Sequence, residues 1–542
     1  MSKRIVISLA SVLIGCFMLS SCAGPFIRSG KERTAKDPET TSESSKAVTS
    51  KIDKIDIPEE GCPVEFPDGE VYDYVMDLKF DPDEQTVGGH VTFTFFNDSE
   101  DPWNELCMRD YPSLFDDMNV YVLKVKDGGG ITRIENITDS RTGGLEYERD
   151  PDDKSVIWIK LGKPLEAGEH MTLTYDFLTL IPTNPDRFGA AGGIYNVTNF
   201  YPILAEYVNG SWSHERYFNT GECFYSEISD YHVTIEAPEG SVFASTGEEI
   251  SSVTEGGRET VKFEAPFVRD FVFSVSEFFE KKTEDIEGVK VNVFYSKDKP
   301  AQQDMTAVTD KCFDVAGTSL KAFGEAFGRY PYGELDIVLS PLKAGGMEYP
   351  NLVIITNEVC HEYISVFEPY DQLENCLCHE IGHQWFMGIV GSNSGAEPWL
   401  DESVTSYTEL VYYEYLGGKV FDDHVAGYRR MDRDLTEVDR DKEREEGILE
   451  ENISPYLDVP YSSFPTDLYY TAYIYDTGKA FCYQLEEACG REEFHGVLRA
   501  YVHRYAFKNA TTKDFLEVLY GCVGQDNGEL NRLVATMLKT RI

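Results

Sequence analysis

Two short segments of this chain bring together the residue types that bind a catalytic metal ion. Residues 379–385 read HEIGHQW, so His379 and His383 are four residues apart and lie on one face of a helix. Residues 399–402 read WLDE and end on Glu402. Two histidines and one glutamate form the ligand set of many catalytic zinc ions, and three protein ligands leave a fourth position open. The pattern therefore predicts one zinc ion per chain, bound by His379, His383 and Glu402.

Glu380, which follows the first histidine, is the candidate general base, because its carboxylate can reach a water molecule at the metal. Two other zinc chemistries are disfavoured. A metzincin requires glycine and histidine at positions where this chain has Phe386 and Ile389. A structural zinc requires a fourth side-chain ligand, and the nearby Cys376 and Cys378 fit the buried side of the helix better, as small apolar residues.

Length and charge limit the class of protein. The 542 residues are enough for two or three domains with their own cores. The chain has 95 acidic and 49 basic residues, and its net charge of −46 argues against a nucleic-acid partner. The cysteines are irregularly spaced without a C-x-x-C motif, so the sequence does not predict how any disulfides would pair.

The N-terminal segment predicts a membrane anchor. Residues 1–22 begin with a basic pair, continue with an apolar run and end in LSSC, which resembles a bacterial lipoprotein signal. We expect cleavage before Cys22, a lipid on its thiol, and a location on the extracytoplasmic face of the cell membrane. An ordinary secretory signal is the alternative. Residues 23–55 are rich in Ser, Thr, Lys and Glu and predict a flexible tether.

The next part of the chain predicts a β-rich N-terminal domain over residues 56–283. Segments such as VTFTF at 91–95 and SVIWI at 155–159 alternate apolar and polar residues or are rich in β-branched residues. Glycine, proline, asparagine and aspartate separate these segments, as they do between the strands of antiparallel sheets.

The remaining residues, 284–542, predict a mixed sheet followed by helices, so that the whole chain is an α+β multidomain protein. The predicted elements of this part are strands at 289–295, 336–340 and 352–356, a helix within 301–327, and mostly helices from 371 onward.

Four segments resemble the motifs of a known family, and they occur in the same order. Residues 345–350 read GGMEYP, 379–386 read HEIGHQWF, 399–403 read WLDES and 475–478 read YDTG. They are similar to the G-x-M-E-N, H-E-x-x-H, W-L-N-E-G and Y-x-K-G segments of the aminopeptidase N family of zinc metallopeptidases, which are gluzincins. The resemblance implies a short bacterial lipoprotein form of that family, with a thermolysin-like catalytic domain after the β-rich domain.

The resemblance also implies a substrate-binding segment. Glu348 would place its carboxylate against the free α-ammonium of a peptide. Gly345, Gly346 and Met347 precede it, and the glycine backbone would let an extended peptide pair with this edge as an added strand.

Two further side chains have possible roles at the site, and the sequence leaves one alternative open for each. A phenol at Tyr475 would donate a hydrogen bond to the oxyanion that forms during hydrolysis, and Tyr473 is the alternative donor. Glu409 lies seven residues after Glu402 on the same helical face. It either accepts a hydrogen bond from a ligand histidine or is a solvated helix residue.

The chain departs from the family pattern at two positions that concern the site. Members of the family carry a second anchor for the substrate amine in the N-terminal domain, but the matching residues 199–202 read NFYP and leave that anchor unassigned. Thr477 replaces the lysine of the Y-x-K-G segment and removes a positive charge near the oxyanion position.

The function that the resemblance implies is an extracytoplasmic zinc aminopeptidase, which hydrolyses N-terminal residues from peptides with a free N-terminus. A zinc endopeptidase with the same chemistry is one alternative, and Glu348 argues against it because it favours a free amine. A surface peptide-binding lipoprotein with little turnover is the other alternative. The sequence does not determine the preferred N-terminal residue, the natural substrate or the oligomeric state.

Overall fold

The computed structural model describes residues 52–116, 132–217, 224–297, 305–359, 371–418 and 456–542. The predicted signal sequence with Cys22, and the predicted tether up to residue 51, lie outside these residues. The last residues of the predicted tether are packed: Ile52 and Ile55 contact the core, and the backbone N–H of Ile55 donates to the carbonyl of Gly521 at 2.9 Å. Among the described helices, none combines the length and the apolar character that a membrane span requires.

The N-terminal part consists of strands with one buried face. In β1 (Tyr72–Asp81), Tyr74 and Met76 are buried while Val75 between them is exposed, as alternation along a strand requires. The strands that follow are β2 (Thr86–Phe96), β3 (Trp103–Arg109), β4 (Thr132–Asp139), β5 (Gly143–Gly144), β6 (Tyr147–Arg149), β7 (Val156–Leu165), β8 (His170–Leu180), β9 (Gly189–Ala191), β10 (Ile194–Val197), β11 (Ile203–Leu204), β12 (Tyr207–Val208), β13 (Ser211–Trp212), β14 (Ser229–Pro238), β15 (Val242–Ser245), β16 (Glu248–Glu255), β17 (Arg258–Val268) and β18 (Phe273–Ser276).

Most of these strands belong to one large sheet. Its eight strands have the order β16-β17-β14-β1-β2-β8-β4-β5, in which β1 and β14 are parallel and the other neighbours are antiparallel. Two four-stranded sheets, β15-β18-β10-β9 and β11-β3-β7-β6, and the β12–β13 pair complete the β-rich part. A 3-10 helix at Tyr111–Asp116 follows β3.

A five-stranded mixed sheet opens the second part of the chain. Its strands are β19 (Phe279–Ile286), β20 (Val289–Ser296), β21 (Glu334–Ser340), β22 (Gly346–Tyr349) and β23 (Leu352–Thr356), in the order β19-β20-β21-β23-β22. The three central strands are parallel, and the two outer strands run antiparallel to their neighbours. Every residue of β21 and β23 is buried, as expected of parallel strands covered on both faces.

Helices follow this sheet and cover it. They are α1 (Met305–Phe327), α2 (Gln372–Gly382), α3 (Glu402–Leu416), α4 (Asp467–Thr471), α5 (Gly478–Cys489), α6 (Arg491–Tyr505), α7 (Thr512–Val523) and α8 (Gly528–Met537), with a π-helix at Ala472–Thr477, a 3-10 helix at Tyr461–Ser463, and the short parallel pair β24 (Val390–Gly391) and β25 (Lys508–Asn509). Helix α1 connects the parallel strands β20 and β21, and α2 contacts β22 and β23.

The predicted α+β fold class is confirmed, with a β-rich part followed by a mixed sheet and helices. The predicted strands at 289–295, 336–340 and 352–356 lie within β20, β21 and β23, and the predicted helix appears as α1. The proposed domain boundary between residues 283 and 284 falls inside β19. Because β19 pairs with β20 along its whole length, this strand belongs structurally to the five-stranded sheet.

Candidate active site

Helix α2 presents two histidines and a glutamate at its C-terminal end. Asp371 caps its N-terminus by accepting a hydrogen bond from the backbone N–H of Glu374 at 3.1 Å. His379 and His383, one turn apart, face the same side, and their Nε2 atoms are 3.2 Å apart. Glu380 lies between them in sequence and is also buried.

Helix α3 supplies the third candidate ligand at its first residue. The Oε2 atom of Glu402 lies 3.4 Å from the Nε2 atom of His379 and 3.4 Å from that of His383. The ligand atoms of the three residues all lie within 4.8 Å of one another, and the three side chains are buried. The structure therefore brings together the predicted ligand set from two different helices.

The outer nitrogen of His379 is held by a carboxylate. Its Nδ1 atom lies 3.0 Å from Oε1 of Glu409, which is buried two turns along α3 from Glu402. The other oxygen of Glu409 accepts a hydrogen bond from Nζ of Lys479 at 2.6 Å. Of the two alternatives for Glu409, the structure shows the contact with a ligand histidine.

The outer nitrogen of His383 also faces oxygen acceptors. Its Nδ1 atom lies 2.8 Å from Oδ1 of Asp401 and 3.2 Å from the carbonyl oxygen of Phe386. Ser394 Oγ donates to the other oxygen of Asp401 at 2.7 Å. Glu348, His383 and Asp401 also bring ligand atoms within 4.8 Å of one another, but Asp401 lies behind the imidazole, on its Nδ1 side.

These contacts make the cluster suitable for a cation. Because Nδ1 of His379 and of His383 faces acceptors, each Nδ1 carries a hydrogen, and the neutral ring then has a lone pair on Nε2. Both lone pairs face Oε2 of Glu402, which is buried and has no hydrogen-bond donor among the described residues. Three lone-pair atoms at this separation repel one another unless a cation lies between them, and two imidazoles with one carboxylate suit zinc.

The pKa shifts of the two histidines show that their surroundings favour positive charge. Burial lowers the pKa of His379, but the carboxylates of Glu402 and Glu409 outweigh it and raise the pKa to about 9. Burial likewise opposes a charge on His383, and the carboxylates of Glu348 and Asp401 raise its pKa well above the usual value. A divalent cation supplies this charge in place of the two protons.

The carboxylate of Glu380 lies directly against strand β22. A Cβ atom placed on Gly346 would be 2.3 Å from Oε1 of Glu380, far inside van der Waals contact. Position 346 must therefore be glycine for the carboxylate of Glu380 to occupy its place beside the ligand histidines.

Strand β22 presents the other predicted substrate-binding residues. Glu348 is buried, and its Oε1 atom lies 4.0 Å from Nε2 of His383. Met347 points to the opposite face and packs in the core with Val338 and Ile354, so only its backbone is available to a substrate. Gly345 directly precedes the strand, with Sγ of Cys376 3.4 Å from the position of a Cβ atom there.

Tyr475 reaches the metal-ligand cluster, whereas Tyr473 does not. The hydroxyl of Tyr475 donates to Oε1 of Glu402 at 2.5 Å, and its ring centroid is 5.9 Å from that of His379. Tyr473 instead packs against Phe464 and Tyr469. Burial and the nearby carboxylate of Glu402 raise the pKa of Tyr475 well above its usual value, so its hydroxyl keeps its proton at neutral pH.

The π-helix that carries Tyr475 is attached to helix α3. Ser403 Oγ donates to the carbonyl oxygen of Ile474 at 2.6 Å, and a Cβ atom at Gly478 would lie 1.9 Å from that Oγ. Thr477 stands where the family pattern has a lysine. A lysine follows two residues later, but Lys479 binds Glu409 and does not lie at the oxyanion position.

A cavity with about 600 Å³ of empty volume lies between the β-rich part and the helical part. Its walls include Glu348, Tyr349, Pro350, Met387, Ser394 and Asn509 from the second part, and Tyr111, Asn199, Ile203, Phe224, Tyr225, Ser226, Arg269 and Asp270 from the first. Arg269 joins the two parts, because it donates hydrogen bonds to the carbonyls of Met387 and Lys508 at 2.8 and 2.7 Å and to Oδ1 of Asn509 at 2.5 Å.

The sequence alone did not assign several residues of this site. Asp401 directly precedes the candidate ligand Glu402 in the WLDE segment, and this position was the one feature of the sequence that could have indicated a role for it. Lys479 and Ser394 had no such signal, because their contacts depend on how separate helices and loops pack together. Asn199 lies in the segment where no second amine anchor was recognisable, and the fold places it in the same cavity as Glu348.

Comparison with known proteins gives a family match over the catalytic part of the chain. Residues 312–537 match the Peptidase family M1 domain, a stretch that contains the candidate ligands, Glu348 and Tyr475. This part of the chain is similar to the catalytic domain of M1 peptidases. This finding confirms the resemblance to the aminopeptidase N family of gluzincins.

Curated relatives are similar to this chain over part of their length. Aminopeptidase M1-B of Oryza sativa subsp. japonica is 27% identical over 429 residues, which cover 75% of this chain and 44% of that protein. Leukotriene A-4 hydrolase of Xenopus laevis is 28% identical over 37% of this chain and 31% of its own length. The chain thus spans less than half of the length of these relatives.

Solved M1 structures share the fold over nearly the whole chain. An M1 zinc metallopeptidase from Deinococcus radiodurans has a TM-score of 0.59 at 17% identity, over 87% of this chain and 93% of that chain. A mutant two-domain M1 zinc metallopeptidase bound to L-arginine has a TM-score of 0.61 at 17% identity, over 89% and 97% of the two chains. These matches show that the β-rich part and the mixed sheet with helices form the two-domain M1 fold.

Proposed function

We propose that this protein is an extracytoplasmic zinc aminopeptidase that hydrolyses the first peptide bond of peptides with a free N-terminus. The observation that carries the proposal is the position of Glu348. Its carboxylate lies on edge strand β22, 4.0 Å from Nε2 of His383, and lines an interdomain cavity. A carboxylate there pairs with an ammonium only when the substrate chain begins at this point.

His379, His383 and Glu402 are the residues that would hold one zinc ion per chain. When bound, zinc supplies Lewis acidity, which polarises the scissile carbonyl and lowers the pKa of water to about 7. The donor set and the converging lone pairs described above support this assignment.

Glu380 is the general base in this proposal. Its carboxylate takes a proton from the attacking water and then passes that proton to the leaving amine nitrogen. The contact with Gly346 fixes the carboxylate beside the ligand histidines, where the water must approach the carbonyl carbon.

Tyr475 stabilises the charge that develops on the carbonyl oxygen. Its hydroxyl is protonated at neutral pH and lies next to Glu402, so it can turn from that carboxylate to the oxyanion. A donor of this kind typically contributes about 3 kcal/mol to the stability of the transition state.

The substrate backbone pairs with strand β22. Within the described residues this strand has β23 as its one neighbour and forms the edge of the five-stranded sheet. An extended peptide can add to that edge as a further strand, and the glycine at position 346 lets its backbone approach closely.

The α-ammonium has acceptors from both halves of the cavity. Glu348 comes from the catalytic sheet, and Asn199 comes from the β-rich part and lines the same cavity. Two similar M1 zinc metallopeptidases were solved bound to L-arginine and to L-tryptophan, which supports binding of molecules with a free α-amine.

The proposed location rests on the N-terminal sequence. The basic pair, the apolar run and LSSC ending at Cys22 support lipidation of this cysteine and anchoring on the extracytoplasmic face of the membrane. Replacing Cys22 by alanine should release the protein from the membrane fraction or block its processing. Normal cleavage with unchanged membrane association would contradict the anchor.

Hydrolysis of aminoacyl reporter amides tests the activity. The protein should lose turnover when zinc is removed with a chelator and regain it when one equivalent is returned. The Glu380→Gln variant should bind the same zinc but lose turnover by at least about 100-fold, the usual scale for general-base catalysis. An unchanged rate after complete zinc removal, or in Glu380→Gln, would reject the proposal.

A further inference from the structure

Asp270 is a buried carboxylate in the wall of the interdomain cavity, and three donors surround it. The hydroxyl of Tyr201 donates to Oδ1 at 2.6 Å, and the backbone N–H of Phe271 donates to the same oxygen at 2.8 Å. Nδ2 of Asn199 donates to the other oxygen, Oδ2, at 2.7 Å. Both carboxylate oxygens therefore accept hydrogen bonds, and only Asn199 among the three donors is not itself buried.

This arrangement fixes which end of the Asn199 amide faces the cavity. An ionised carboxylate has no hydrogen to donate, so the NH2 end of the amide must lie on its side. The Oδ1 atom of Asn199 then points away from Asp270, and it lies 3.4 Å from the hydroxyl of Tyr349, the residue after Glu348. An oxygen in this direction attracts an ammonium, whereas an NH2 group would repel one.

The backbone on both sides of this hydrogen bond is also constrained. Asn199 adopts a left-handed conformation with φ of 47°, which asparagine tolerates better than most residues. Asp270 follows Arg269, whose guanidinium is hydrogen-bonded to the catalytic part. The residue that orients Asn199 is thus next to the residue that fixes the β-rich part against the side of the cavity containing Glu348.

We propose that Asp270 is a positioning residue, which holds the amide of Asn199 so that its oxygen accepts a hydrogen bond from the substrate α-ammonium opposite Glu348. The inference rests on the proposed aminopeptidase function. It adds that the amine site depends on a buried side chain that does not itself contact the substrate.

An isosteric substitution reverses the amide without removing any bulk. In Asp270→Asn, the donors Tyr201 and Phe271 N–H require the oxygen of the new amide at the Oδ1 position. Its NH2 group then faces Asn199, which must turn its own oxygen toward position 270 and its NH2 group toward the cavity. Free-amine ligands should therefore bind about 10- to 100-fold more weakly, as expected when a hydrogen bond to a charged group is lost.

A second substitution should restore the site. In the double variant Asn199→Asp/Asp270→Asn, the new carboxylate at 199 accepts from the NH2 group at 270 with one oxygen and presents the other to the cavity. The pair keeps its total charge and its hydrogen bond, with donor and acceptor exchanged. Affinity for the ammonium should return to within about threefold of the wild type.

The measurement compares L-phenylalanine with 3-phenylpropanoate, which differ in the α-ammonium, by calorimetry on the zinc-loaded protein. Asp270→Asn should weaken binding of L-phenylalanine and leave 3-phenylpropanoate unchanged, and KM for aminoacyl amides should rise more than kcat falls. Asp139→Asn is the matched control, because Asp139 is equally buried in the β-rich part and bonds to Arg141 and Thr142 away from the cavity.

The outcomes separate this inference from the proposed function. A wild-type protein that prefers L-phenylalanine, with Asp270→Asn binding both ligands like the wild type or losing both equally, would overturn the positioning role alone. Failure of the double variant to recover would overturn it as well. A wild-type protein that binds both ligands equally and hydrolyses no aminoacyl amide would reject the aminopeptidase function together with this inference.

Discussion

At the scale of single residues, the site depends on carboxylates that orient the candidate zinc ligands. Glu409 holds Nδ1 of His379, and Lys479 occupies the second oxygen of Glu409. In the same way, Asp401 holds Nδ1 of His383, and Ser394 donates to the second oxygen of Asp401. Each imidazole thus has a fixed tautomer and a fixed direction before a metal binds, which reduces the free-energy cost of assembling the site.

Glu409→Gln tests this arrangement. The amide is neutral and holds the imidazole less firmly than the carboxylate does, so zinc affinity should fall by about 10- to 100-fold. Competition with a chelator of known affinity measures the change. The control is Glu414→Gln on the same helix, whose partner is Arg491 on helix α6. Equal affinity in Glu409→Gln and the wild type would show that the contact does not tune the metal site.

Tyr475→Phe tests the oxyanion donor. Because the hydrogen bond strengthens in the transition state, kcat should fall by about 10²- to 10³-fold while KM changes little. Steady-state kinetics on one aminoacyl amide checks this, with Tyr473→Phe as the control that packs away from the cluster. Full activity in Tyr475→Phe with a loss in Tyr473→Phe would move the role to the other tyrosine.

At the scale of elements, residue spacing in the sequence predicts relative positions where the geometry is local. The four-residue spacing in α2 sets the separation of His379 and His383, and the seven-residue spacing in α3 puts Glu409 on the face of Glu402. The choice between Tyr473 and Tyr475 was open because the segment forms a π-helix, in which side-chain directions differ from those of an α-helix.

Strand β22 offers the sharpest test at this scale, because its two glycines have different surroundings. A Cβ atom at position 346 would displace the carboxylate of Glu380, whereas one at position 345 would meet only Sγ of Cys376 at 3.4 Å. Gly346→Ala should therefore lower kcat by about 100-fold or more with zinc content unchanged, while Gly345→Ala should stay within about threefold of the wild type. Kinetics and metal analysis of both variants measure this, and equal effects would contradict the contact.

At the scale of the whole molecule, the proposed amine site takes residues from two parts of the chain. Glu348 lies on the catalytic sheet, and Asn199 with Asp270 lies in the β-rich part, which Arg269 fixes against the catalytic part. These residues are far apart in sequence and follow no short motif. Their meeting depends on how two sheets pack, so sequence reasoning left the second amine anchor unassigned.

The cavity beside Glu348 takes its walls from both parts of the chain. The cavity is lined by Tyr111, Phe224 and Tyr225 from one part and by Tyr349 and Met387 from the other. In the proposed function, the N-terminal residue of the peptide lies in this cavity and the following residues extend along β22. We therefore expect the enzyme to require a free α-ammonium at that end.

The direct measurement compares cleavage of one peptide with its N-acetylated form by the same enzyme preparation, with products identified by mass spectrometry. The free peptide should lose its first residue. Acetylation should lower kcat/KM by at least about 100-fold, because it removes a charge-assisted hydrogen bond and leaves Glu348 desolvated against the cap. Cleavage of the acetylated peptide at internal bonds, as fast as trimming of the free peptide, would contradict the account and identify an endopeptidase.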